Sequence, residues 1–246
     1  MNKVALVTGS SRGIGKATII EFAKKGYDVI INYVNSAKAA SELKDEVESK
    51  YKIKALTVKA DLSKEEDVRE MVRKSLAEFK KVDVLVNNAG IALYDEVANK
   101  TMSDWHQSLQ TNLLAPFLLS QLLGKEMVEN KYGKIINISS IDAIYTYNAQ
   151  SMEYDASKAA LINMTYNYAL ELQPYVNVNC VAPGWVDTDM NKDLPQEMIE
   201  YQKDKICKHR FAKPEEVAKL ITFLASDDAE FINSEIIKID GGYKLG

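Results

Sequence analysis

Short runs of aliphatic and β-branched residues alternate along this chain with longer segments of helical period, and no other feature restricts the fold as strongly. The runs are VALVT from Val4, VIINY from Val29, KALTV from Lys54, VDVLV from Val82, KIINIS from Lys134, VNVNCVA from Val176 and EIIKID from Glu235. Between them lie segments that read as helices from about Gly13, Ala37, Lys64 and Thr101, through Tyr154, and from Pro214. Strands separated by helices pair in parallel, with the helical crossovers covering the sheet. The expected fold is α/β, a seven-stranded parallel sheet with helices on both faces. No Pro/Gly-rich linker and no internal repeat interrupts it, so residues 1–246 are expected to form one domain. Only residues 187–213, rich in Lys, Asp, Met and Tyr, break the rhythm. A substrate lid and a plain surface excursion both fit that stretch.

Composition narrows the partners. A chain of 246 residues that is 46% hydrophobic can bury a substantial core. Its net charge of −4, with acidic and basic residues interspersed, leaves no basic stripe for nucleic acid and no polybasic membrane patch. Cys180 and Cys207 lack the CxxC or Cys/His clustering of a zinc site or a disulfide framework, so no metal is expected. Met1 runs into VALVTG without a charged leader, and the most apolar segment, LLAPFLLSQLL, is short and broken by Pro116 and Ser120. A cytoplasmic protein with a small soluble substrate is expected.

The first strand leads into TGSSRGIG, with glycines at 9, 13 and 15, and a helical pattern follows at once. Such a turn lets backbone approach a pyrophosphate, and the helix N-terminus offers it free N–H groups and partial positive charge. The spacing, GxxxGxG, is a variant of the commoner GxGxxG. The candidate phosphate contacts are Gly9, Ser11, Arg12, Gly13, Ile14 and Gly15. An acidic side chain that accepts from a free ribose 2′-hydroxyl belongs at the end of the second strand. Here that place holds Asn32, Tyr33, Val34 and Asn35, while Asp28 stands at the other end of the strand. With no carboxylate to repel a 2′-phosphate, and Arg12 able to pair with it, NADP(H) is the expected cofactor and Asn32 a candidate contact. A solvated loop arginine is the plainer account of Arg12.

From Ser139 to Lys158 the chain reads SSIDAIYTYNAQSMEYDASK. Only Tyr154 lies four residues before Lys158, which stacks the two on one helix face. An ammonium about 4 Å from a phenol, at an effective dielectric near 20, is worth about 4 kcal/mol, or about three pKa units before desolvation opposes it. That would bring the phenol towards neutral pH. The same spacing also occurs on ordinary helices.

Several separated motifs now stand in order: TGSSRGIG, NNAG from Asn87 to Gly90, Asn112, Ser140, Tyr154 with Lys158, and PGWVDTDM from Pro183. In these the chain resembles the short-chain dehydrogenase/reductase family over essentially its whole length, and with NCVAPGWVDTDM, RFAKPEEVA and IDGGY it is most similar to the β-ketoacyl-(acyl carrier protein) reductases. The resemblance implies a Rossmann-type doubly wound sheet and reduction of a carbonyl with NADPH. It makes Tyr154 the proton donor to the carbonyl oxygen as the nicotinamide delivers hydride. It gives Lys158 two tasks, lowering the tyrosine pKa and bonding the nicotinamide ribose. Ser139 and Ser140 both end the fifth strand, and the family pattern selects Ser140 to polarise the carbonyl. Asn112 matches the anchor of a water relay to the lysine, although an Asn within a helix also reads as a packed polar residue. Asp61 and Leu62 match adenine contacts, with a helix cap as the alternative for Asp61. Asn88, Ala89 and Gly90 match the ribose contact or form a simple turn. Pro183, Gly184, Val186 and Thr188 match the carboxamide-binding segment. Tyr145 and Tyr147 are expected to line the substrate cleft, and a homotetramer is implied.

The sequence departs from that pattern where the carrier-dependent relatives hold arginines beside the cleft. Lys131 and Lys134 precede the fifth strand, keeping charge without the bidentate fork, and Tyr175 stands where the second arginine is expected. The expected activity is 3-oxoacyl-(acyl carrier protein) reduction in fatty acid synthesis. Alternatives are oxidoreduction of a free small ketone or alcohol, and a non-catalytic cofactor-binding protein.

Overall fold

The computed structural model describes residues 2–145, 148–192 and 194–243. Seven parallel strands form one sheet in the order β3-β2-β1-β4-β5-β6-β7. They are β1 Val4–Val7, β2 Asp28–Tyr33, β3 Ala55–Lys59, β4 Val84–Asn87, β5 Gly133–Ile138, β6 Val176–Pro183 and β7 Ile236–Ile239. The central strands are buried along their whole length, as expected where helices cover both faces. The order reverses between β1 and β4, and at such a switch point the strand ends diverge and leave a crevice.

One face packs against α1 (Gly13–Lys24), α2 (Ala37–Tyr51) and α8 (Pro214–Leu224), through Ile19, Phe22, Leu43, Val47, Val217 and Ile221. The other packs against α3 (Glu65–Phe79), α5 (Ala115–Glu129) and α6 (Met152–Glu171), through Met71, Leu119, Leu123, Met127 and Ala169. The long helix expected from Thr101 runs as α4 (Met102–Leu109), a π-helical turn over Gln110–Leu114 that contains Asn112, and then α5. Thr101 and Asp104 cap its start reciprocally. Within residues 187–213 lies a helix that sequence periodicity did not signal, α7 (Gln196–Lys205), which buries only Gln202. The segment is tied at both ends, by a parallel bridge of Val186 to Ala212 and an antiparallel bridge of Ile206 to Tyr243.

Candidate active site

A cleft of about 800 Å³ follows the C-terminal ends of the strands, from the loop after β2 to the ends of β5 and β6. Its floor is the glycine loop. Gly9 has φ +60°, and a Cβ on Gly15 would sit 2.7 Å from both the Gly9 carbonyl oxygen and Ser10 Cα. α1 starts with no side-chain cap and no acidic residue in its first turn, which leaves its N-terminal charge available to an anion. Ser11, Arg12, Gly13 and Ile14 line this part, and Thr188 packs over Gly13 from the far wall.

Asn32 has a more structural task than expected. Its Oδ1 accepts from Gly9 N at 2.9 Å, and its Nδ2 donates to the carbonyls of Ala60 at 3.1 Å and Val58 at 3.4 Å. The side chain lines the cleft, but its amide is spent tying the glycine loop to the end of β3. The groups beyond it, Tyr33, Val34, Asn35 and Ser36, complete that wall, and Ser36 caps no backbone group of α2. No carboxylate stands among them. Asp61 lines the neighbouring wall with Leu62, and its Oδ1 accepts from Ser63 N at 3.0 Å and Ser63 Oγ at 2.7 Å. Those bonds, led by the Ser63 hydroxyl, hold its carboxyl below the usual range.

Thr8 was not signalled as a site residue, yet it joins the two loops of the crevice. Its Oγ1 accepts from Asn88 N at 2.9 Å and Ala89 N at 3.0 Å, while Asn88 Nδ2 donates to the Thr8 carbonyl at 2.8 Å. The available signal was a hydroxyl directly before the first glycine. Gly90 follows and brings the loop against Lys158 and Asn112.

At the far end of the cleft the structure brings Ser140, Tyr154 and Lys158 together. The two serines that end β5 divide as strand alternation requires. Ser139 Oγ donates to the Lys158 carbonyl at 2.8 Å, whereas Ser140 Oγ donates to Asp142 Oδ2 at 3.1 Å and hydrogen-bonds the Tyr154 phenol. Asn112 lies behind this group, fully buried in the π-helical turn. Its Oδ1 accepts from Ile91 N at 2.9 Å, and its Nδ2 donates to the Ile91 carbonyl at 2.9 Å and to Ser157 Oγ at 3.0 Å. Its side chain therefore fixes the loop after β4 to α6. Pro183, Gly184 and Val186 form the wall opposite.

The electrostatics correct one expectation. Lys158 Nζ lies 5.7 Å from the Tyr154 ring centroid and donates to the Ile138 carbonyl at 2.8 Å. The Tyr154 phenol is pushed up, chiefly by burial and then by the Asp142 carboxylate, with the Ser140 hydroxyl pulling the other way. The lysine is itself lowered to about 8, because burial disfavours its charge. Desolvation thus outweighs the attraction that the four-residue spacing predicts, and the phenol stays protonated at neutral pH.

Two further expectations change. Tyr145 does not open onto the cleft: its hydroxyl donates to Asp240 and its ring stacks on Tyr243 at 6.5 Å between centroids. Tyr147 lies outside the described residues. Lys134 is 1% exposed, pairs with Glu230 and begins β5, and Lys131 and Tyr175 lie at the same N-terminal edge of the sheet. At about 3.3 Å per residue, the strand carries Ser140 about 20 Å away from Lys134. These side chains do not flank the cleft of their own chain.

A family model described as enoyl-(acyl carrier protein) reductase matches residues 9–244, nearly the whole chain. The chain belongs to the short-chain dehydrogenase/reductase family. Among members of that family, the 3-oxoacyl-[acyl-carrier-protein] reductase of Aquifex aeolicus is 39% identical, covering 98% of this chain and 96% of the relative. A short chain dehydrogenase from Burkholderia cenocepacia, solved in complex with NADP, is 34% identical with a TM-score of 0.91, covering 98% of this chain and 97% of that one. Acetoin dehydrogenase from Salmonella typhimurium is 31% identical with a TM-score of 0.90, covering 99% and 96%.

Proposed function

We propose that this oxidoreductase uses NADPH to reduce the C3 carbonyl of a 3-oxoacyl thioester, with an acyl carrier protein as the thioester's carrier. The observation that carries the reading is the convergence of Ser140, Tyr154 and Lys158 at one end of a cleft whose other end is a glycine loop at a helix N-terminus. The cleft suits a dinucleotide. The close approach at Gly15 keeps the loop flat, the uncapped start of α1 suits the pyrophosphate, and the wall from Asn32 to Ser36 has no carboxylate to repel a 2′-phosphate. Arg12 and Ser36 are the groups that would meet that phosphate, with Asp61 and Leu62 at the adenine and Asn88 to Gly90 at its ribose. Pro183, Gly184, Val186 and Thr188 would hold the nicotinamide end. Bound there, NADPH supplies the two electrons and the hydrogen that the carbonyl carbon gains.

The chain's own groups do the proton work. Tyr154, kept protonated by its buried surroundings, donates to the carbonyl oxygen. Ser140 fixes that oxygen in place beside the phenol. Lys158 stabilises the negative charge left on Tyr154, and Asn112 holds the loop that carries Gly90 in register with α6. The relative named for 3-oxoacyl-[acyl-carrier-protein] substrates, similar over 98% of the chain, supports the substrate class.

A second reading, reduction of a free small ketone, is favoured by the burial of Lys134 at the sheet edge away from the cleft. Its support also includes the likeness to acetoin dehydrogenase. One experiment separates the two: NADPH oxidation with the same 3-oxoacyl group on its carrier and on a short thiol, beside a panel of small ketones. A carrier advantage that shrinks as salt rises supports the first reading. No carrier advantage at low salt, with turnover of a free ketone, establishes the second.

Among the described residues no helix is long and apolar enough to cross a membrane, and no group of His, Cys, Asp and Glu could hold a metal. Leu114, Phe117, Tyr166 and Leu170 are exposed on the outer side of the α5 and α6 layer, and a cytoplasmic homotetramer that covers them completes the proposal. Light scattering in solution tests it.

A further inference from the structure

The carbonyl oxygen and its hydride source would be held by two different loops of this fold. Ser140 stands on the loop after β5, and Gly184, in the wall that would hold the nicotinamide, directly follows β6. Ser140 begins a tight turn. In it Ala143 N donates to the Ser140 carbonyl at 3.2 Å, while Ile144 N and Tyr145 N donate to the Ile141 carbonyl at 2.9 and 3.1 Å. Tyr145 closes that turn, and its hydroxyl donates to Asp240 Oδ2, just past β7. Burial, and then the bond to this carboxylate, pushes the phenol up, so Tyr145 keeps the proton it donates. Asp240 is itself firmly held. Its Oδ1 accepts from Gly242 N at 2.9 Å, and beside it Gly184 N donates to the Ile239 carbonyl at 3.0 Å. A Cβ on Gly184 would lie 3.0 Å from Asp240 Cα and 3.5 Å from Ile141 Cδ1, so the nicotinamide wall packs directly on Asp240 and on the turn after Ser140. The Tyr145 ring stacks on Tyr243, whose hydroxyl donates at 2.7 Å to Gln202, the one buried residue of α7.

We propose that Tyr145 is a positioning residue, whose hydrogen bond to Asp240 fixes the turn that carries Ser140 against the wall that would hold the nicotinamide. The inference rests on the carbonyl reduction proposed above. Tyr145 moves no proton and acts only through Ser140. Hydride transfer requires the carbonyl carbon and its donor in close alignment, and a shift of a fraction of an ångström between the two loops is felt in the rate. The bond from Tyr145 to Asp240 is charge-assisted and joins those loops through a carboxylate already fixed from its other side. The same ring, stacked on Tyr243, ties the turn to α7 as well.

Tyr145→Phe is the decisive variant, because it keeps the ring on Tyr243 and removes only the hydroxyl. Single-turnover stopped flow, with the enzyme loaded with NADPH and mixed with saturating 3-oxoacyl thioester, reads the hydride-transfer step itself. Its rate constant is expected to fall about tenfold, with Kd for NADPH within about twofold of the wild type. A loss of stability alone would leave this rate constant unchanged, since it does not depend on the fraction of folded enzyme. In Asp240→Ala the hydroxyl has no acceptor, so adding Tyr145→Phe to that variant is expected to change the rate constant by less than about twofold. Without cofactor or substrate, hydrogen exchange followed by mass spectrometry is expected to quicken in the peptide that holds residues 140–145 of Tyr145→Phe. A wild-type rate constant in Tyr145→Phe overturns the proposal, as does a tenfold loss that persists in the Asp240→Ala background, or unchanged exchange in that peptide. If the wild type reduces no carbonyl, the function proposed above fails by itself, and the exchange measurement still decides whether Tyr145 holds the turn after Ser140.

Discussion

The two edges of this sheet both bury charged and polar side chains, and only one of them can do chemistry. At the N-terminal edge every such group is closed on a neighbour. Asp83 accepts from Val4 N at 2.7 Å and from Lys81 at 3.0 Å, and Asp28 accepts from Lys54 N at 2.8 Å. Lys3 reaches the Tyr132 hydroxyl at 2.8 Å and Asp227 at 2.7 Å, and Lys134 pairs with Glu230. At the C-terminal edge Ser140, Tyr154 and Lys158 line an open cleft. Burial of a charge is thus no mark of a site. The difference lies in whether donors and acceptors are aimed at each other or at a space where something else can sit.

The largest expected effect breaks the comparison at its active edge. Tyr154→Phe removes the phenolic proton and little volume, so turnover is expected to fall by about 10²–10⁴ while NADPH binding, followed by fluorescence, survives. Wild-type turnover in this variant would take the proton-donor role away from Tyr154. The paired experiment at the other edge is Lys134→Met. It is expected to leave kcat and its salt dependence unchanged, and to lower stability by about 1–2 kcal/mol through the lost hydrogen bond. Thermal denaturation beside the turnover assay reads both.

Next in size is the glycine loop, where the cleft depends on backbone alone. Gly15→Ala would place a methyl 2.7 Å from the Gly9 carbonyl and Ser10 Cα, neither of which is the flexible end of a side chain. The loop must shift, and cofactor affinity is expected to fall by at least tenfold, about 1.4 kcal/mol, with the melting temperature falling too. Titration of NADPH fluorescence measures the first quantity. Undiminished affinity would show that the cofactor does not sit on this loop.

Much of this was legible in the sequence, and the parts that were not share a cause. Strand and helix positions follow from hydrophobic period, which is local, and the glycine loop is legible because Gly9 and Gly15 meet a backbone constraint that few residues can. The pairing of Tyr154 with Lys158 was legible as a spacing, but the sign of its electrostatics was not, since desolvation depends on what the whole fold packs around the pair. Lys134 is the same case on a larger scale. Its charge suggested a docking surface, and the pleat of β5 with Glu230, 96 positions later, makes it a buried tie. α7 escaped notice because it buries almost nothing, so its apolar period is faint. Thr8 and Asn32 act through backbone groups of distant loops, and no local pattern reports that.

A smaller effect concerns pH. Lys158 is lowered to about 8 by burial, so it carries its charge below that pH and loses it as pH rises through 8. The phenol keeps its proton across the same range because its own pKa is raised. Reduction is therefore expected to decline above about pH 8 through loss of the ammonium, not of the phenolic acid. A profile of kcat/KM between pH 6 and 10 checks this, and a plateau to pH 10 would leave Lys158 charged throughout.

The smallest expected effect sharpens the comparison inside the cleft, between groups held by the fold and groups free to meet a ligand. Arg12 is exposed at the start of α1, and the wall it faces has spent the Asn32 amide on the glycine loop and β3. A carboxylate would ordinarily neutralise such an arginine, and Asp189 lies near enough for Arg12 to help hold its carboxyl low. Asp189, however, already pairs with Lys192, the larger cause of that lowering. With Asp189 committed to Lys192, the Arg12 guanidinium is available to pair with a 2′-phosphate. In Arg12→Ala the NADPH preference over NADH, read as a ratio of kcat/KM values, is expected to narrow by about tenfold, the size of one charge-assisted hydrogen bond of about 1.5 kcal/mol. The change should fall on KM for NADPH, leave kcat with saturating cofactor intact, and shrink as salt screens the exposed pair. Comparable kcat/KM values for the two cofactors in the unmutated enzyme would remove Arg12 from phosphate recognition and, with it, the case for NADPH from this wall of the cleft.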